Sequence, residues 1–151
     1  MTVQLLTLWL HVLGVIVWIG GLMYQAHALL PAARRGNAAV FADVARRARP
    51  VAWTAIALVV LTGFYNVTRL GPLDRVMASG AGLTLAGKFM LVLVAVALSA
   101  QRDFTQLPRL ARVLAAGEES EPALGAIAWL DRVVLLLAVV IAYLGLVISR
   151  S

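Results

Sequence analysis

Four apolar runs, residues 4–30, 51–70, 83–101 and 127–149, constrain this chain more than anything else in it. Each is near the ~20 residues that a helix needs to cross the hydrocarbon core of a bilayer. Lipid offers no partners to backbone N–H and C=O groups, so a spanning segment of this kind must satisfy them within itself as a helix. The polar surface that a soluble domain requires is missing: of 151 residues, 62% are hydrophobic and 13% charged. The expected fold is all-α, a polytopic integral membrane four-helix bundle forming one domain over residues 1–151 with its flanks against lipid. The first run lacks a preceding basic segment and is longer than a signal-peptide core, so it is expected to remain as a span.

The net charge of +6 follows the loops. Arg34, Arg35, Arg46, Arg47 and Arg49 fall in segment 31–50, and Arg102, Arg109 and Arg112 in segment 102–126, with Arg132 at the start of the fourth run. Only Arg69, Arg75 and Arg150 fall on the other side. The positive-inside rule then predicts that 31–50 and 102–126 are cytoplasmic and that both termini are outside, in a multi-pass inner-membrane protein. The arginines are accounted for by topology, and nucleic acid is not an expected partner.

Between the runs the expectations are modest. Ala32–Arg35 reads as a short connection, and residues 38–49 as an interfacial helix with Val40, Phe41 and Val44 available to pack. Residues 71–82 suffice for a turn and one short helix. Segment 103–126, with Glu118, Glu119 and Glu121 before Pro122, reads as a helical extension and a solvated turn.

Within the first run, alternating steps of three and four pick out Gln4, Thr7, His11, Gly14, Trp18, Gly21 and Gln25. That spacing marks one helix face, and polar or small residues in a membrane turn toward other helices. His11 is therefore expected to face protein. Gly14 and Gly21 fit two roles: close helix packing, or room for a flat ligand beside an axial histidine. His27 lies sixteen positions along, about 24 Å at helical rise, so the two histidines of one chain cannot share a metal.

Lys88 is the interior charge of the third run. With both termini outside, it lies at a depth close to that of His11, in the outer half of the membrane, where an ionisable residue is a functional candidate by default. Tyr65 and Asn66, at the outer end of the second run, fall in the same layer, with Arg69 at its mouth. The expected site is a chamber lined by His11, Lys88, Tyr65 and Asn66, with Gly14 and Trp18 beside the histidine. Snorkelling of Lys88 to the outer headgroups is the plainer alternative. The chain has no cysteine, and Met23, Met77 and Met90 are isolated, so a copper site would need ligands from a second subunit or partner.

LWLHVLGVIVWIGGLMY (8–24) resembles the first helix of CopD-type proteins, and LTGFYN (61–66) is similar to the end of their second. AGKFMLVLV (86–94) and RLARVLAAGEE (109–119) are similar to the third helix, and the loop after it, of HemJ-type membrane proteins. The CopD resemblance implies copper resistance and uptake. The HemJ resemblance implies haem b and oxidation of protoporphyrinogen, with His11 and Lys88 as the essential pair.

Three functions follow as expectations. The first is a CopD-like protein of copper or haem handling with an outer-leaflet site around His11, as metal or haem ligand, and Lys88. The second is a haem-dependent membrane oxidoreductase in which Lys88 is catalytic and steers a porphyrin. The third is a non-catalytic assembly subunit. The Gly and Ala content suggests close association of copies, and a homodimer is expected.

Overall fold

The structure is a computed structural model describing residues 2–69, 71–78 and 80–150. Leu70, the end of the expected second span, and the Arg150 side chain lie outside the described residues. Among the described residues every regular element is helical. Helix α1 (Val3–Tyr24) passes through a π-helical turn (Gln25–Leu29), α2 (Leu30–Ala32) and a second π-helical turn (Ala33–Asn37) into α3 (Ala38–Thr68). After these come α4 (Leu73–Ala78), α5 (Gly80–Gln101), a third π-helical turn (Arg102–Gln106), α6 (Leu107–Ala115) and α7 (Glu121–Arg150).

Three helices are long and apolar enough to cross a membrane: Val3–Thr68, Gly82–Ala115 and Glu121–Val147. The first is folded back on itself. Arg35 and Gly36 leave helical geometry, and Gly36 takes φ 110°, a conformation open to glycine and strained for other residues. Beyond this reversal α3 returns along α1. Helices α5 and α7 form a second packed pair, and α1 touches α7. Large apolar side chains such as Leu61, Leu136 and Val139 remain about 70% exposed, as lipid-facing positions should.

The end of the expected first span differs from the sequence reading: the chain does not leave helix near Pro31 but stays helical to Arg34. After the third span the expected helical extension is present, through Arg102–Gln106 and α6 to Ala115. Proline has no N–H to give to the carbonyl four residues earlier, and a π-helical turn absorbs that loss without ending the helix. Gln25 and Arg102 open these turns, and Pro31 and Pro108 each follow six residues later.

The helix expected over 38–49 and the helical extension after the third span pack together. Phe41, Leu110, Leu124 and Ile127 are buried with Leu30, Ala33, Ala45 and Leu107 in one apolar cluster. Phe41 is inside it, but Val40, also expected to pack, is 58% exposed. Beyond α6 the chain turns at Gly117, φ 69°, where the Gly117 and Glu118 amides close back on the carbonyls of Leu114 and Val113.

Candidate functional site

His11 is half-buried, and its Nδ1 is held by α3, 3.1 Å from the Val59 carbonyl and 3.0 Å from Thr62 Oγ1. A carbonyl can only accept, so Nδ1 carries the proton. The Thr62 hydroxyl donates to the Leu58 carbonyl and so receives the same proton through its lone pair. Nε2 is thereby left with its lone pair, the tautomer suited to bind a metal, and a backbone carbonyl is a common second partner of ligating histidines. Gly63 makes the room: a Cβ there would stand 3.2 Å from His11 Cε1. Thr62 and Gly63 are the partners that the sequence reading missed.

Lys88 is half-buried, with its ammonium against α7; a Cβ at Gly145 would stand 3.2 Å from Nζ. Its charge is within electrostatic range of the His11 ring. Arg69 folds back on its own helix, bonding Tyr65 Oη through Nε at 3.1 Å and lying 5.0 Å over the Tyr65 ring. Asn66 is half-buried one turn beyond Thr62. Gly14 offers no slot for a flat ligand: a Cβ there would meet Val59 Cγ2 at 2.8 Å and the Ala55 carbonyl at 3.1 Å. It serves helix packing. Trp18 is buried among Leu22, Ala55, Ile56, Ala95 and Val134.

A second polar centre lies at the opposite end of the helices. Arg102 and Asp131 form an ion pair with side chains 6% and 0% exposed. The Arg102 guanidinium also donates to Asp103 Oδ1 at 2.6 Å and to Gln25 Oε1 at 2.7 Å. Trp53 Nε1 donates to Asp103 Oδ2 at 3.0 Å, and Arg49 to the Asp103 carbonyl at 3.2 Å. Arg49 and Trp53 also cover the Phe104 ring, with the guanidinium 5.5 Å from its centroid. Two π-helical turns supply Gln25, Arg102 and Asp103, so the helical distortions and the buried charges coincide. Beside them is a cavity of about 200 Å³ lined by Gly21, Gln25, Ser99, Arg102 and Asp103.

The sequence reading assigned Arg102 to topology and passed over its pairing with Asp103, next to it in the chain, and with Gln25 and Asp131, which stand far off. The recurrence of a polar residue six before a proline was the available signal. Among the described residues no three His, Cys, Asp or Glu side chains gather as a metal cluster.

No curated protein and no solved structure matches the chain. Residues 42–148, well over half of the chain, match the family model described as copper resistance protein D, and the chain therefore belongs to the CopD family.

Proposed function

We propose that this protein is a four-span membrane protein that handles copper, with both termini outside and His11 as the copper-facing residue in the outer half of the membrane. CopD family membership supports a membrane protein linked to copper resistance. The observation that carries the site is the His11 geometry, in which Val59 and Thr62 take the Nδ1 proton and leave Nε2 as a donor.

A single imidazole near the Lys88 charge is a poor resting place for a cuprous ion, which favours two or more soft ligands and is repelled by an ammonium. The arrangement suits passage or hand-over better than storage, with further ligands supplied by a second copy or a partner. The haem-enzyme reading loses support, because the gap it needs beside His11 is filled by Val59 at Gly14.

The test is copper entry into proteoliposomes containing the purified chain. His11→Ala, matched for protein content, is expected to abolish the uptake seen with the native chain. Equal uptake by the two would overturn the assignment of His11. A porphyrin absorption band lost in His11→Ala would return the haem reading.

A further inference from the structure

Where α2 and the π-helical turn before it pass α7, a cavity of about 340 Å³ opens between two stripes of side chains. One stripe gives Ala26, His27, Leu30, Pro31 and Arg34; the other gives Ala128 and Arg132. The lining thus combines two guanidiniums and an imidazole with a small apolar wall. His27 Nδ1 is 3.0 Å from the Met23 carbonyl, so that nitrogen carries the proton. Arg34 is paired with Glu121 at 3.1 Å, with side chains 38% and 56% exposed. Glu121 is the carboxylate at this rim, and the neighbouring Asp131 is turned inward to Arg102. His27, Arg34 and Arg132 are all exposed.

We propose that this cavity is a binding site for the phosphodiester headgroup of an anionic phospholipid, with its glycerol and first methylenes against Leu30 and Pro31. Three observations agree. Arginine forks match phosphate oxygens bidentately. The cationic groups stand at the end of apolar helices, where headgroups lie and where each basic side chain adds to the attraction for anionic lipid. The apolar wall would be superfluous for free phosphate. The proposal rests on the membrane reading of the helices and is independent of copper.

The test is native mass spectrometry of the full chain released from mixed phosphatidylglycerol and phosphatidylcholine vesicles. The native chain is expected to retain phosphatidylglycerol preferentially. Arg132→Gln should weaken that retention about fivefold, the effect of one basic group near a membrane surface. Arg132→Lys should restore it only in part, because an ammonium keeps the charge and loses the fork, and Arg109→Gln, at an exposed position away from the cavity, should leave it unchanged. Glu121→Gln should strengthen it by freeing Arg34. Equal retention of the two lipids, or no effect of Arg132→Gln, would overturn the proposal. Displacement of phosphatidylglycerol by equimolar inorganic phosphate would instead identify a soluble anion as the occupant. A chain that fails to enter vesicles at all would overturn the membrane reading, a different failure.

Discussion

Arg102 and Asp131 face each other as a charge pair from which solvent is excluded on both sides, 29 residues apart in sequence and joined across α7 and a π-helical turn. Arg102 also pairs with the buried Asp103, so removing Arg102 strands two carboxylates, whereas removing Asp131 leaves Arg102 with one. Arg102→Met should therefore destabilise the protein by about 3–5 kcal/mol. Asp131→Asn should cost clearly less. Unfolding in mixed micelles would check both, and Asp131→Asn as damaging as Arg102→Met would show that the Asp131 charge itself holds the helices.

The helix α1–α3 contact makes a sharper prediction about glycines. Gly14→Ala forces a methyl against Val59 Cγ2 and the Ala55 carbonyl. The expected loss is about 1–3 kcal/mol, as for overpacked interiors generally. At Gly20 and Gly21 an added Cβ meets nothing within 4 Å, so alanine there should not destabilise and should gain up to about 1 kcal/mol from its higher helix propensity. Pairing Gly14→Ala with Val59→Ala should recover part of the loss. Thermal unfolding of the four variants reads out the comparison.

Trp53 offers a test of the inner polar centre. Trp53→Phe keeps the ring against Phe104 but removes the donor to Asp103 Oδ2, leaving a buried acceptor unmet. The expected cost is about 1–3 kcal/mol. An unchanged unfolding midpoint would mean that water replaces the indole.

Topology can be read directly because the chain has no native cysteine. Single cysteines at Ala39 and Glu119 should resist a membrane-impermeant maleimide applied to intact cells and react after permeabilisation. A cysteine at Ala78 should react from outside at once. The reverse pattern would invert the proposed orientation.

What the sequence made legible was the middle of one helix face. The alternating spacing through His11, Gly14, Trp18 and Gln25 marks residues that do turn inward, at least in part, but Gln4 and Gly21 on the same seam are exposed. A 3.5-residue repeat drifts around a straight helix of 3.6 residues per turn, so one packed neighbour covers only part of such a seam. Arg102, Asp103 and Asp131 were illegible for another reason. Each reads alone as a charge near a membrane edge, and only the fold brings them together with Gln25 from the first helix. Phe41 and Leu110 were half legible: both were read on helices, Phe41 as available to pack, but only the fold shows that they pack in one cluster.

The central claim is that His11 presents Nε2 to copper because α3 holds Nδ1. The most direct measurement is a Cu(I) titration of the purified chain in detergent against a chromophoric chelator. The native protein is expected to draw copper only from a chelator of weak affinity, His11→Ala to draw none from it, and Thr62→Val, which removes one Nδ1 acceptor and leaves the Val59 carbonyl, to bind several-fold more weakly. Identical titration curves for the native protein and His11→Ala would contradict the account.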